Sequence, residues 1–175
     1  MTITINGSGT VTGITAGGLP DAIITQPELA TGVAGTGPAF SAYLSANQSM
    51  TQNVFTKVAI DTEEFDTASC FNNTGSTVGG IPAYAFKPTV AGYYQVNATN
   101  YAYTTVTGIV CYIYKNGTAI KGGWGTTASA VASALIYMNG STDYIESYSY
   151  LNGITPSLYG YVSLTFFQAN LVRSA

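Results

Sequence analysis

The chain has 175 residues, enough for one domain with a real core; 46% are hydrophobic and only 7% are charged. That charge content is far below the ~25% of an ordinary soluble domain, and it implies a surface covered by copies of the chain or by another protein. A net charge of −3, with single scattered cations at Lys57, Lys87, Lys115, Lys121 and Arg173, argues against nucleic-acid binding through phosphate neutralisation.

Residues 1–36 differ from the rest. They are rich in Gly, Thr, Ala and Ile, and their only charges are Asp21 and Glu28. Met1 to Asn6 lacks the basic start and apolar run of a secretion signal, which predicts synthesis in the cytoplasm. Thr2 to Ile5 alternates polar and apolar, Asn6-Gly7 signals a turn, and Thr10-Val11-Thr12 reads as the returning strand. Gly17 to Asp21 breaks regular structure, Pro27 to Ala30 suits one helical turn, and Gly32 to Gly37 reads as a linker. The segment is too short and too Gly-rich to hold a core. It is expected to be an arm that docks on a partner through Ile3, Ile5, Val11, Ile14, Leu19, Ile23 and Ile24.

Residues 37–175 read as one all-β domain. Val54 to Ile60 predicts a strand, ended by an acidic loop from Asp61 to Asp66. Ala83 to Phe86 predicts a second, stopped by Pro88. In the longer run Tyr93 to Tyr103, Tyr94, Val96, Ala98 and Asn100 share one face. Ile109 to Tyr114 enters the Lys115-Asn116-Gly117 turn, and Ala119 to Lys121 leaves it. Ala130 to Met138, Asp143 to Tyr150 and Tyr159 to Asn170 complete the set. About eight to ten strands without a helix suit a two-sheet sandwich or jelly roll. No apolar stretch approaches the ~18 residues of a membrane helix.

The chemistry-bearing residues are few. Without a histidine, no Ser/His/Asp or Cys/His arrangement exists, and no enzymatic activity or cofactor is expected. Asp61, Glu63, Glu64 and Asp66 form an acidic cluster that reads as a solvated loop; as a calcium site it lacks the full Asp-x-Asp-x-Asp-Gly pattern. Asp143 and Glu146 read as hairpin residues. Cys70 and Cys111 fit neither a CxxC pair nor a disulfide framework, leaving two reduced thiols or one buried bridge. Sequons such as those at Asn47, Asn72, Asn97, Asn116 and Asn139 follow from a composition rich in Asn, Thr and Ser. Trp124, in Gly122-Gly123-Trp124-Gly125, is the sharpest recognition candidate. An aromatic on a Gly-rich loop can stack on a sugar or fill a partner's pocket, or else cap the barrel end or a subunit interface.

A set of spaced landmarks makes residues 38–175 resemble the C1q-like globular domain, one of the tumour-necrosis-factor-like jelly rolls. Pro38-Ala39-Phe40-Ser41-Ala42 opens the set and Val58-Ala59-Ile60-Asp61 follows. Phe86, Pro88, Gly92 and Tyr94 match the family's Phe-x-Pro-x-x-x-Gly-x-Tyr, with Val96 in place of a further aromatic. Val110 to Gly117, Leu135 to Gly140, Asp143 to Glu146 and Phe167 to Leu171 continue the order, with Ala169 where glycine is usual. The resemblance implies a homotrimer around a three-fold axis. In the arm, Ile14 to Asp21 followed by Thr25 to Ala30 is similar to segments of bacteriophage virion proteins, tail fibres in particular. Together they imply a virion surface protein that binds major capsid protein as a decorating (cement) protein, or one that sits among tail components and grips host-surface polysaccharide. Neither nucleic acid nor membrane is an expected partner.

Overall fold

The computed structural model describes residues 36–175, all strand and loop. The candidate docking residues Ile3, Ile5, Val11, Ile14, Leu19, Ile23 and Ile24 lie outside the described residues.

Two sheets form the domain. The first runs β10 (Ser129–Met138), β7 (Gly92–Tyr101), β13 (Phe166–Ser174), β1 (Ala39–Tyr43), β4 (Thr62–Asp66), every neighbour antiparallel. The second runs β5 (Phe71–Asn72), β6 (Ala85–Phe86), β11 (Ile145–Asn152), β8 (Gly108–Lys115), β9 (Thr118–Gly125), and β3 (Thr56–Lys57) also pairs with β11. A small ribbon joins β2 (Gln48–Ser49) to β12 (Ser157–Leu158). Alternation decides what goes inside. Along β7, Tyr94, Val96, Ala98 and Asn100 are buried, as their spacing predicts, while Tyr93, Gln95, Asn97, Thr99 and Tyr101 face out. Along β10, Ala130, Ala132, Ile136 and Met138 are buried between outward residues.

The spaced landmarks meet in the core. Phe40 stacks on Phe71 at 4.6 Å and on Phe86 at 4.5 Å, and meets the edge of Phe167 at 5.2 Å. Phe86 in turn meets Tyr94 edge-on at 5.8 Å, and the Tyr94 hydroxyl donates to the carbonyl of Val90. Such ring pairs add about 0.5–1.5 kcal/mol each beyond the area they bury. Small buried residues (Ala42, Ala98, Ala132 and Ala169) leave room for the rings. Asn116 and Gly117, with φ of 52° and 76°, form the tight turn between β8 and β9 that Asn-Gly predicts.

Four expectations fail for identifiable reasons. The Asp61–Asp66 stretch is an edge strand, not a loop: β4 pairs with β1 across a bulge between Ser41 and Ala42, and its charges discourage further strand pairing there. The Val54–Ile60 strand shrinks to Thr56–Lys57, because β6 and β3 share one side of β11. The Gln48 side chain also takes the place of a ladder, donating to Lys57 O and accepting from Ala59 N. The last strand starts at Phe166, since a turn at Tyr161 takes the amides of Leu164 and Thr165. Finally, β9 continues through the glycines to Gly125. A Cβ on Gly123 or Gly125 would strike the backbone of Val131 or Ser129, so these glycines let the edges of the two sheets approach.

Candidate functional site

The acidic residues are engaged separately. Asp61 accepts from the Ser45 amide and hydroxyl at 2.8 and 2.7 Å. Glu64 accepts from the Ser41 hydroxyl at 2.6 Å. Asp66 accepts from the amides of Ala68 and Phe71. Glu63 points outward on β4, and partial desolvation of its carboxyl together with the charge of Asp66 pushes its pKa up. Among the described residues, no group of three or more His, Cys, Asp or Glu side chains is placed to hold a metal ion.

Two other carboxylates have structural work that their spacing did not announce. Glu146, only 2% exposed, forms an ion pair with Lys57, whose ammonium also donates to Ala83 O and lies 6.0 Å from the Tyr148 ring centre. Its second oxygen, Oε2, is buried without a hydrogen-bond partner. Asp143 pairs with Lys115 at 2.8 Å and accepts from Asn116 Nδ2 and the Asn139 amide. Burial opposes its ionisation, but those hydrogen bonds and the Lys115 charge outweigh it and hold the carboxyl below its usual range. A hairpin turn on β8 is thereby tied to the β10–β11 connection. Cys70 and Cys111 are both free and buried. Burial raises both thiols, that of Cys111 to about 12.

The aromatic residues divide between the two outer sheet surfaces. On the first sheet Val131, Leu135, Tyr137 and Tyr93 project outward, each 42–56% exposed. A hydrogen-bonded seam of Gln95, Ser133 and Asn97 runs among them. At the end of β7 the rings of Tyr101, Tyr103 and Tyr161 each meet that of Tyr159, at 5.2–6.4 Å. On the second sheet Tyr114 stacks on Tyr148 at 3.9 Å, and Phe55 packs on Tyr112 and Tyr150.

Trp124 lies on strand β9 rather than on a loop, directly across from Val110 and 67% exposed. Its six-membered ring rests over Gly108, which pairs with Asn152 on β11. Asn152 then opens into a cleft lined by Gln52, Thr105, Thr107, Gly153 and Ile154. The cleft carries no signal in the sequence, because its residues come from three separate segments.

No protein-family model matches the sequence, and no curated protein matches it. Solved structures do. Murine APRIL at pH 5.0 superposes with a TM-score of 0.58 at 9% identity, over 77% of this chain and 98% of that chain. The Eiger TNF of S. frugiperda gives 0.58 at 9% identity, over 79% and 92%. The fold is a TNF/C1q-like jelly roll. At such low identity the likeness carries the fold and nothing about ligand or partner.

Proposed function

We propose that this chain is a non-enzymatic structural protein of a bacteriophage particle, a homotrimer of jelly rolls that decorates the capsid and docks there through residues 1–36. One observation carries the assembly: the uncovered apolar side chains of the first sheet, Val131, Leu135, Tyr137 and Tyr93, in a chain with 7% charged residues. Burying them against copies would remove that surface from water at about 25 cal/mol per Å². The seam of Gln95, Ser133 and Asn97 would fix the register of the copies. The virion setting is supported by the likeness of Ile14 to Ala30 to phage appendage segments.

Light scattering tests the trimer. Three chains of 18.2 kDa each are expected, and a clean monomer removes the assembly. Saturable binding to undecorated capsids that requires residues 1–36 is the expected result for a cement role. Capsids that bind the truncated and full chains equally would refute docking by the arm. Antibody labelling of particles in the electron microscope locates the copies.

A second role, a tail-fibre tip that recognises a host-surface glycan, is favoured by a different observation: the exposed indole of Trp124 beside an uncharged cleft. Cell binding that is lost in Trp124→Ala would favour this role over decoration.

A further inference from the structure

The cleft beside Trp124 has the makings of a small-ligand site. Its volume is about 530 Å³, inside the roughly 300–1,000 Å³ range of such sites. Its lining of Gln52, Thr105, Thr107, Asn152, Gly153 and Ile154 contains amides, hydroxyls and one aliphatic side chain, and no charge. Gly108 lies between the indole and Asn152, a residue of the cleft lining. A Cβ placed on Gly108 would stand 3.1 Å from Cζ2 of Trp124 and 3.9 Å from Cβ of Asn152, so the ring and the base of the Asn152 side chain flank the same bare stretch of backbone. The side-chain amides of Gln52 and Asn152 make no hydrogen bond among the described residues. They are therefore exposed donors and acceptors without internal work.

We propose that Trp124 and this cleft form a binding site for neutral carbohydrate. A pyranose has an apolar C–H face and a rim of hydroxyls, and the site offers the matching pair of surfaces. The indole face takes the C–H face. An amide presents a donor and an acceptor side by side, which suits two adjacent hydroxyls; Asn152 and Gln52 supply such amides, and the Thr107 hydroxyl, which donates to Asn152 O, keeps acceptor capacity beside Gly108. A nucleobase also stacks on indole, but single strands require a cationic groove, and among the described residues no cation lines this cleft. The absence of charge in the lining likewise disfavours acidic sugars. Gly108 is part of the site, because a side chain there would lift the indole away from Asn152. This inference deepens the glycan-recognition role, on which it rests for the class of ligand; it needs neither the trimer nor the virion.

The test is native affinity electrophoresis through gels containing dextran, mannan or galactan, with alginate as the acidic comparison. Trp124 is the single tryptophan of the chain, so its emission reports the site directly when oligosaccharides of the same polymers are added. Retardation by at least one neutral polymer is expected, with a blue shift of emission as the sugar covers the ring. Trp124→Ala should abolish retardation, Trp124→Tyr should keep part of it, and Asn152→Ala should weaken it about threefold to tenfold. Trp124 is exposed on an edge strand, so these variants should fold, and unchanged light-scattering mass checks that they do. No retardation by any neutral polymer, retardation that survives Trp124→Ala, or a preference for alginate would overturn the site. Retardation by a protein that scatters as a monomer would leave this site standing while the trimer falls.

Discussion

The two sheets are built from the same kind of strand, yet their outer surfaces differ in how their aromatic residues are used. On the second sheet the rings are spent on one another: Tyr114 lies flat on Tyr148, Phe55 leans over Tyr112 and Tyr150, and Lys57 crosses Tyr148 to reach buried Glu146. On the first sheet Val131 and Leu135 are each 56% exposed, and Tyr93 and Tyr137 meet at 5.5 Å, with the Lys115 ammonium 5.7 Å over the Tyr137 ring. Around Tyr114 and Tyr148 the second surface is covered from within the chain; Phe55, 42% exposed, and Trp124 on β9, 67% exposed, are not. The other leaves Val131, Leu135, Tyr93 and Tyr137 exposed, and the proposed assembly would cover them. Tyrosine content alone therefore does not distinguish an interface from a surface that is already packed; what matters is whether a neighbouring segment supplies the cover.

The largest effect should come from breaking the first surface. Val131→Lys together with Leu135→Lys sets like charges against each other at the proposed three-fold contact and should reduce the light-scattering mass from three chains to one. Tyr112→Ser on the second surface should leave the mass at three. Equal dissociation by both changes would erase the distinction between the surfaces. Next in size is the ion pair beneath the second surface. Lys57→Met leaves the Glu146 carboxylate buried and unpaired, with an expected loss of about 3–5 kcal/mol in urea melts at fixed protein concentration. Adding Glu146→Leu to that variant should restore most of the loss, because two apolar side chains then replace two charges.

These positions also mark where the sequence is legible. Strands β7, β8, β10 and β11 stand within a few residues of their expected places, because alternation and Asn-Gly turns are local signals. Phe40, Phe86, Tyr94 and Phe167 are visible as landmarks because each fills one aromatic cluster. Lys57 and Glu146 carry no such mark, since only the pairing of β3 with β11 brings them together. The glycines around Trp124 mislead for a related reason. Locally they read as a loop, but their purpose is the close approach of β10, which is a tertiary fact. Asp61 to Asp66 reads as a loop because its acidity is visible and its edge position is not.

A smaller effect belongs to the clasp at the end of the second sheet. The folded-state pKa of Asp143 lies below that of the unfolded chain, so its contribution is complete above the unfolded value of about 4 and disappears as pH falls through the lower, folded one. Asp143→Asn should lose about 1–2 kcal/mol at neutral pH. The difference from the parent chain should then shrink in melts taken below about pH 4. A pH-independent difference would mean that shape, not charge, holds the turn.

The finest measurement asks whether the second surface is energetically complete in itself. Tyr114 and Tyr148 overlap at 3.9 Å with planes 19° apart, whereas Tyr93 and Tyr137 are separated by 5.5 Å and inclined at 58°. Both pairs lie on outer faces, but only the first is largely withdrawn from solvent: Tyr114 and Tyr148 are half-buried, while Tyr93 and Tyr137 are 42% and 44% exposed. Double-mutant cycles to alanine remove the separate contributions of each ring and leave the coupling. For Tyr114 with Tyr148 a coupling of about 0.5–1.5 kcal/mol is expected in any state of assembly, since both partners belong to one chain. For Tyr93 with Tyr137, exposed and directly opposite across β7 and β10, the coupling should be smaller in the Val131→Lys/Leu135→Lys monomer, about 0.2–0.5 kcal/mol, and rise in the parent assembly, where a neighbour would hold both rings in place. Equal couplings in monomer and assembly would mean that the first surface is as self-sufficient as the second, and that its exposed rings await no partner.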